Sequence, residues 1–479
     1  MREISTSSSF AEPVAVLAAE GSATPVEVAG VPGLLSRSRK SLTTGRGVIA
    51  LRGGAWSIVG YAATQLFRVA STLVLARHFL GPEPFGIVGL VGVFIAGLSM
   101  FSEMGLVANV VQHPRGDDPQ FLRTAFSIQA GRGFIICAVA AMASYPVALF
   151  YKQPQLFALL AVAGASELLR GFTSTAVWTC TRHVKLRNIT LLAIVSEVVA
   201  FGVCILWAVV SPSAWALVAR TVASAAIYAA GSYFIAKPLT FGWDRSAAKE
   251  ILHFGGWVSV ATATYFLGCQ SERLVLGKFV TAAELGCFSL AIMIASVPAG
   301  GISQLVNQIF LPILSRTVRV GENETVRDYE RSRMLFFAAA LVAGLGFLLC
   351  GKPLVVLLLS SKYRITGWIL QALGLRLALD IFSGPPTTLL LAYGKTKYAA
   401  VANTTRLVLM ISGIWIAFAF FGFREAVFAL IIAQAISYVP LIWGLKKLLP
   451  QVVATELRSY GLFVALMTLA AALIWRGIN

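Results

Sequence analysis

The chain contains little charge. Charged side chains make up 13% of its 479 residues, whereas about 25% is usual in soluble domains. Hydrophobic residues make up 57%, and apolar stretches of 18 or more residues recur along nearly the whole length. Each such stretch is long enough to cross a hydrocarbon core of roughly 30 Å as a helix. The composition therefore excludes a soluble globular protein and predicts an all-α polytopic membrane protein.

Signals for catalysis, cofactors and metals are also missing. None of the four histidines lies in a zinc-protease or triad-like motif, and no glycine-rich phosphate loop ending in lysine is present. The six cysteines contain no CxxC pair and fall in or beside apolar helices: Cys137, Cys180, Cys204, Cys269, Cys287 and Cys350. We therefore expect no cofactor, no metal site, no disulfide framework and no direct use of ATP.

The apolar pattern predicts about twelve transmembrane helices in two six-helix lobes around a central cavity. The first lobe holds helices at about 52–80, 86–111, 125–150, 155–180, 188–210 and 212–236, and the second at about 252–277, 285–315, 334–359, 366–392, 400–421 and 425–445. A thirteenth apolar stretch, Tyr460–Trp475, is short for a span and is open to a tilted, re-entrant or interfacial interpretation. The predicted domains are a disordered cytoplasmic tail (1–48), the two lobes (49–240 and 241–450) and a C-terminal apolar segment of uncertain topology (451–479).

A polar turn occurs twice, about 200 residues apart. The copies are residues 76–86 and 277–286, and they differ by one residue in length. Each contains a cation, a short turn, a glutamate and a glycine, and each is predicted to join two long hydrophobic helices. This repeat favours a duplicated transporter, because facing helical halves with a site near the midplane are a common transporter architecture.

The basic residues orient the predicted bundle. With a cytoplasmic N-terminus, the N-terminal segment and the loops on that side hold 24 of the 39 Lys and Arg residues. Those loops lie around 112–124, 181–187, 237–251, 316–333, 393–399 and 446–458. This asymmetry places the N-terminus in the cytoplasm. It also accounts for most of the net charge of +18 without a nucleic-acid partner.

Twelve ionisable residues fall within the predicted helices. Seven are arginines and five are acids: Arg68, Arg132, Arg170, Arg220, Arg273, Arg376, Arg406, Glu103, Glu167, Glu197, Glu272 and Asp380. Facing lipid, each would cost on the order of 2.5–3.5 kcal/mol. Together that is roughly 30–40 kcal/mol, more than the stability of a domain. The interior of the bundle is therefore predicted to be polar.

Some of these charges have a purely structural interpretation. Three arginines lie near predicted cytoplasmic helix ends, where they can reach water: Arg132, Arg170 and Arg406. Glu167 and Arg170 are spaced i,i+3, and Arg376 and Asp380 are spaced i,i+4, so either pair can neutralise itself on one helix face. Six residues have no obvious partner nearby in sequence and are the strongest functional candidates: Arg68, Arg220, Arg273, Glu103, Glu197 and Glu272.

Two predicted helices contain helix breakers. One has Pro298 followed by Gly300 and Gly301, and the other has the sequence Ser383-Gly384-Pro385-Pro386. Proline removes a backbone hydrogen bond, which membranes tolerate where neighbours or water satisfy the freed groups. Each breaker is open to two interpretations, a flexing point for alternating access or a static bend.

Several segments resemble the polysaccharide transporter family. They are Leu75–Leu90, Met100–Leu106, Ser271–Lys278 and the run Pro312-Ile313-Leu314-Ser315-Arg316. This family comprises Wzx-type lipid-linked oligosaccharide flippases, within the superfamily that also contains multidrug and toxin extruders. The resemblance covers roughly residues 48–450 and is spread over many positions, with no single invariant signature.

The resemblance implies a flippase that moves undecaprenyl-diphosphate-linked oligosaccharides across the bacterial inner membrane. An arginine-lined cavity suits a diphosphate, because the planar guanidinium matches phosphate oxygens. We expect Arg68 and Arg273 to bind the diphosphate, Arg220 and Arg376 to make secondary contacts, and protons or ions to be coupled through Glu103, Glu197, Glu272 or Asp380. Implied partners are membrane lipids and, by analogy, a polysaccharide polymerase and export proteins.

Two other functions fit parts of the pattern. A multidrug and toxin extruder would share the fold but carry cationic cargo, and it should rely on carboxylates and aromatics. This interior instead has more arginine than acid. A membrane polymerase, ligase or glycosyltransferase would need a large loop or domain for its catalytic groups, whereas the predicted loops here are under 20 residues. An enzyme is therefore not expected.

Overall fold

A computed structural model describes residues 45–102, 105–183, 186–235, 241–306 and 310–476. These residues form α-helices and contain no β-strand. The helices of the first half are α1 (Gly45–His78), α2 (Pro82–Phe101), α3 (Leu106–Gln112), α4 (Pro119–Tyr151), α5 (Gln155–Gly171), α6 (Ala176–Arg182), α7 (Leu186–Val210) and α8 (Ala214–Ser232). Those of the second half are α9 (Arg245–Phe279), α10 (Ala282–Leu305), α11 (Leu311–Val320), α12 (Glu322–Leu358), α13 (Arg364–Phe382), α14 (Gly384–Ala392), α15 (Thr396–Phe420), α16 (Phe423–Ile436), α17 (Val439–Leu448) and α18 (Pro450–Arg476). Most of the predicted tail lies outside the described residues.

The helices confirm a polytopic membrane protein. Among the described residues, ten segments are long and apolar enough to span a membrane, or eleven if the bent pair α5 and α6 counts as one span. The C-terminal stretch, which the sequence left ambiguous, is a 27-residue helix and includes one of these ten candidate spans, Pro450–Ile474. Helices α1 and α9 are 34 and 35 residues long but are not among the ten. The predicted total of twelve spans in two six-helix lobes stays a prediction.

The duplicated turn joins two long helices in both halves, as predicted. The first copy links α1 to α2 and the second links α9 to α10. In the second copy, the Thr281 hydroxyl accepts a hydrogen bond from the Glu284 backbone, and the Glu284 carboxylate accepts one from the Thr281 backbone at 2.9 Å. This capping box satisfies two N–H groups that the first turn of a helix leaves free.

The two predicted breakers behave differently. Pro298 lies inside α10, which continues as a helix to Leu305. In the other segment the helix is interrupted at Ser383, between α13 and α14, within the single candidate span Ser361–Ala392. A side chain on Gly384 would meet the ring of Phe336 on α12, so a residue without a side chain suits this close approach.

Each of the six predicted loops is partly helical in the structure. The segment 316–333 is almost entirely helical, because α11 runs to Val320 and α12 begins at Glu322. The segments 237–251 and 446–458 also contain helix, since α9 begins at Arg245 and α18 begins at Pro450. Helix signals are present in the sequence: Glu322 and Glu324 lie in the first turn of α12, where acids interact favourably with the helix dipole. The helices therefore continue through these charged segments, so a run of charged residues does not mark a helix end.

The described residues form two compact units. The N-terminal unit comprises residues 45–80 and 87–266, and the C-terminal unit comprises residues 81–86 and 267–476. In the N-terminal unit α4 packs on α5, α7 packs on α8, and α1 packs on α7. In the C-terminal unit α13 packs against α12, α10 and α16, while α18 packs on α12. The predicted lobe boundary at 240/241 stays a prediction.

The N-terminal unit carries an ion-pair network at the start of α4 and α9. Arg115 donates to Asp118 at 3.1 Å and to Asp244 at 3.0 Å. The Asp118 carboxylate caps α4 by accepting from the Gln120 backbone. These hydrogen bonds favour the ionised carboxylates, so the pKa values of Asp118 and Asp244 are lowered from 3.8, chiefly by their backbone hydrogen bonds and then by Arg115.

We expect this network to lose strength only in strong acid. Because both carboxyl pKa values are lowered on folding, their contribution is fully present above the ordinary value of 3.8. It is lost as the pH falls through the lower folded values. Hydrogen exchange of residues 113–119 should therefore differ between the wild type and a D118N/D244N variant by a constant factor from pH 7 to pH 5. The difference should vanish in strong acid, and a difference that disappears already at pH 5 would contradict this assignment.

Candidate functional site

Arg273 lies in the C-terminal part of α9 and is half-buried. Its Nη1 donates to Gln270 Oε1 at 3.2 Å, on the same helix. Its Nε is buried and has no hydrogen-bond partner among the described residues. None of the ion pairs formed by the described residues involves Arg273. Arg273 thus combines a positive charge with unused donor capacity, which is the requirement for binding an anionic ligand.

The neighbouring carboxylate, Glu272, is 6% exposed and belongs to a different interaction. It accepts a hydrogen bond from Arg376 Nη1 of α13, 104 residues along the chain. Adjacent residues on a helix point in different directions, so Glu272 engages α13 while Arg273 does not. The sequence had found no local partner for Glu272, and its partner is contributed by another helix.

Asp380 of α13 contacts polar side chains of two other helices, α15 and α16. It accepts a hydrogen bond from Gln434 Nε2 of α16 at 3.2 Å. Arg406 of α15 lies 3.9 Å from the same carboxylate oxygen and 3.4 Å from the Gln434 side-chain oxygen. The sequence had left open a neutralising pair between Arg376 and Asp380 on one helix face. Their observed partners are instead Glu272 for Arg376, and Gln434 and Arg406 for Asp380.

The N-terminal unit contains a comparable buried pair. Arg220 of α8 is 8% exposed, and its Nη2 lies 3.1 Å from Glu197 Oε2 of α7. The hydroxyl of Ser224 donates to the other oxygen of the same carboxylate at 3.3 Å, and the Arg220 guanidinium lies 5.8 Å from the Phe201 ring centroid. The carboxylate offsets the desolvated charge of Arg220. These two predicted site residues are thereby brought together.

Arg68 of α1 is exposed, and no ion pair or side-chain hydrogen bond of its guanidinium is found within the described part of the chain. Its backbone carbonyl accepts bonds from the Ser71 and Thr72 hydroxyls, which leaves the side chain uninvolved. Glu103, a predicted coupling residue, lies outside the described residues. Arg68 therefore resembles Arg273 in keeping its donors available.

The arginines with a structural interpretation also have partners. Arg132 of α4 donates to the Ser99 carbonyl at 2.6 Å and to the Ser102 hydroxyl at 3.0 Å. Arg170 lies 3.7 Å from Glu167, which confirms the i,i+3 pair. Arg132 and Arg170 are therefore engaged within the N-terminal unit.

The most buried ion pair among the described residues was missed by sequence reasoning. Arg333 of α12 and Glu456 of α18 are 4% and 1% exposed, and Arg333 Nε lies 3.2 Å from Glu456 Oε2. The Tyr438 hydroxyl donates to the other carboxylate oxygen of Glu456. The sequence pattern predicts both residues to lie in cytoplasmic loops. One signal was available, since Glu456 is the only acid after Glu425 and follows the apolar pair Val452-Val453.

Comparison with known proteins identifies relatives in polysaccharide biosynthesis. The chain is 21% identical to the teichuronic acid biosynthesis protein TuaB of Bacillus subtilis, covering 62% of each chain. It is 21% identical to the succinoglycan biosynthesis transport protein ExoT of Rhizobium meliloti, covering 68% of this chain and 65% of that protein. It is 22% identical to the lipopolysaccharide biosynthesis protein WzxC of Escherichia coli, covering 76% and 74%. The chain thus spans slightly less than two thirds of the length of TuaB and ExoT.

Solved structures establish the fold. An inward-facing multidrug resistance transporter of the MATE family, in the MOP superfamily, matches with a TM-score of 0.65 at 14% identity, covering 82% of this chain and 96% of that one. The lipid II flippase MurJ in an inward closed conformation matches with a TM-score of 0.61 at 15% identity, covering 88% and 97%. The family model described as "Polysaccharide biosynthesis protein" matches residues 74–367, more than half of the chain. The protein therefore belongs to this family of polysaccharide biosynthesis proteins and shares the fold of these two solved structures.

Proposed function

We propose that this protein is a flippase that moves undecaprenyl-diphosphate-linked oligosaccharide units across the bacterial inner membrane. The units would serve surface or exopolysaccharide synthesis. Family membership and the relatives named for teichuronic acid, succinoglycan and lipopolysaccharide support a polysaccharide precursor as cargo. The chain's own residues support an anionic cargo.

The observation that carries this proposal is the state of Arg273. It is a half-buried cation whose Nε lacks a hydrogen-bond partner among the described residues, and it forms no ion pair with any carboxylate of those residues. A partly buried cation that forms no ion pair and keeps an unused donor suits a site that an anion fills during function. A diphosphate supplies both negative charge and several acceptor oxygens, which match a guanidinium fork.

The other arginines have distinct proposed roles. Arg68 of α1 is a second arginine with an available guanidinium, and we propose it as a further diphosphate ligand. Arg220 and Arg376 are each held by a carboxylate, so they contribute mainly positive potential or exchange their partner for phosphate as cargo binds. On such an exchange, Glu197 or Glu272 would lose its counter-ion and would bind a proton more readily. This exchange is our proposed link between cargo and coupling ion, with Asp380 and Glu103 as further candidates.

Topology and partners follow from the same proposal. The basic segments support a cytoplasmic N-terminus, on the side where lipid-linked units would be assembled. Rocking or flexing of helical elements would expose the arginines first to one membrane face and then to the other. A polymerase and export proteins would act on the translocated units, by analogy with the family.

Deletion of the gene in its host tests the function directly. Loss of a surface polysaccharide, with accumulation of diphosphate-linked repeat units on the cytoplasmic leaflet, is the expected result. Complementation with the wild-type gene provides the control, and the accumulated glycan would identify the cargo. Normal polysaccharide together with new sensitivity to cationic dyes would reject the proposal in favour of a drug extruder of the same fold.

A further inference from the structure

The C-terminal helix α18 lies beyond the twelve-helix pattern of the sequence, yet its side chains reach the core of the C-terminal unit. Glu456 is 1% exposed and Phe463 is fully buried. The Phe463 ring stacks on Phe382, with centroids 4.6 Å apart. A helix that merely lay against the bundle in lipid would keep its charged residues out of the protein core. Here the only acid of the segment is buried.

The element that α18 reaches is the break in the span 361–392. Phe382 is the last residue of α13, and Pro386 follows four residues later. In a continuous helix the backbone N–H of residue 386 would donate to the carbonyl of residue 382. Proline has no N–H, so the Phe382 carbonyl loses that partner. A buried carbonyl that lacks a hydrogen-bond donor destabilises the folded state, so the break at Ser383 needs a donor from elsewhere.

Arg333 supplies the missing donor. Its Nη1 donates to the Phe382 carbonyl oxygen at 2.7 Å, and its guanidinium carbon lies 3.4 Å from the centroid of the Phe382 ring. Arg333 is 4% exposed, so its charge needs a counter-ion inside the protein. Glu456 is that counter-ion, with 3.2 Å between Arg333 Nε and Glu456 Oε2. Glu456 of α18 therefore orients the Arg333 guanidinium, and Arg333 in turn bonds to the Phe382 carbonyl at the break.

Glu456 is itself held by groups from two other segments. Tyr438, between α16 and α17, donates its hydroxyl to the Glu456 carboxylate. Tyr329 of α12 is 1% exposed and lies one helical turn before Arg333. The hydrogen bond from Tyr438 thus fixes the Glu456 carboxylate. The carboxylate in turn orients the Arg333 guanidinium, which contacts the break.

We propose that α18 is a working part of the transporter, in which Glu456 and Arg333 are positioning residues for the break at Ser383. Glu456 orients Arg333, and Arg333 satisfies the carbonyl that Pro386 leaves without a donor. The same span carries Arg376 and Asp380 on the N-terminal side of the break. The pair therefore controls how this span bends while cargo is handled. This inference rests on the proposed flippase function, because it takes the break as a flexing point in transport.

The test uses a charge-neutral double variant, R333M/E456Q, in the full-length protein. Neither substitution leaves an unpaired charge, while the Phe382 carbonyl loses its donor. We expect near-wild-type abundance in the membrane, at least a fivefold loss of polysaccharide export in the deletion strain, and at least tenfold faster hydrogen exchange in residues 383–392. Exchange in α4 should be unchanged. The matched control is R331M, which removes an exposed cation on the same helix.

A third substitution separates positioning from a merely structural role. Adding P386A to the double variant restores a backbone N–H that can bond to the Phe382 carbonyl. It should slow exchange in residues 383–392 again without restoring export, because a fixed backbone hydrogen bond replaces the Arg333 contact while Pro385 still interrupts the helix.

Three results would overturn the inference: full export by R333M/E456Q, faster exchange spread evenly over both units, or recovery of export with P386A. These results are distinct from a failure of the proposed function, in which the gene deletion itself would leave polysaccharide unchanged.

Discussion

Replacing Arg273 with alanine is expected to reduce polysaccharide export at least tenfold while leaving the amount of protein in the membrane unchanged. The guanidinium makes one hydrogen bond to Gln270, and its Nε is without a partner among the described residues. Its removal therefore strands no counter-ion. A hydrogen bond to a charged group contributes about 1.5–3 kcal/mol. Losing one phosphate contact of that kind would weaken binding about tenfold to a hundredfold, since 1.4 kcal/mol is a factor of ten.

Lysine at the same position should restore export only in part. It keeps the positive charge but provides a point charge in place of a planar fork, so it loses the paired geometry of a guanidinium on phosphate. The same order is expected at Arg68, with less export by R68A than by R68K and less by R68K than by the wild type. The measurement is export in the deletion strain, normalised to membrane-inserted protein. The control is R327A, which removes an exposed arginine on α12.

Arg376 provides the contrasting case. Its alanine variant would leave Glu272 buried without its cation, and breaking a buried pair in this way costs about 3–5 kcal/mol. R376A is therefore expected to lower abundance and thermal stability as well as export. If R273A also lowered stability by a comparable amount, Arg273 would have a structural partner and the cargo-binding assignment would be wrong. Normal export by R273A would reject that assignment outright.

The sequence was informative where a signal is local. The all-helical architecture and the duplicated turn depend on apolar length and on residues that are close in the chain, and the structure has them where they were predicted. The break at Ser383 was also readable, because proline acts on a carbonyl only four residues away. The spacing of Glu167 and Arg170 identified their pair for the same reason.

Pairing between distant helices was not readable. Glu272 and Arg376 are 104 residues apart, and nothing in a single sequence joins them. The pair of Arg333 and Glu456 is less readable still, because each residue lies in a charge-rich segment whose pattern is typical of a loop. In the structure those segments are helical, and one charge from each points into the core. Charge density gave no information on which individual residue faces inward.

Two glycines of the duplicated turn lie at a close backbone approach between its two copies. Gly86 and Gly286 are equivalent positions in the repeat, and both belong to the C-terminal unit. A Cβ on Gly86 would overlap the Ala282 carbonyl oxygen, and a Cβ on Gly286 would overlap the Pro82 carbonyl oxygen. The backbones at the starts of α2 and α10 are thus in direct contact. Each glycine lies against a carbonyl of the other helix start.

Substituting either glycine with alanine is therefore expected to reduce abundance and thermal stability sharply. The obstructing atoms are backbone carbonyls, which cannot rotate away as a side chain could, so the two helix starts must separate. Overpacking of this kind costs about 1–3 kcal/mol or more. The measurements are membrane abundance and the midpoint of thermal unfolding for G86A and G286A.

Gly92 and Gly300 are the matched controls, because they lie in α2 and α10 and a Cβ there would meet nothing within 4 Å. At these positions alanine should be neutral or stabilising by up to about 1 kcal/mol, since it favours a helix over glycine. If G286A were as abundant and heat-stable as G300A, the close crossing of the repeats would be wrong. The double variant G86A/G286A gives a sharper test. Both new methyl groups force the same two turns apart, so the second substitution should cost clearly less than the first, whereas independent defects would add.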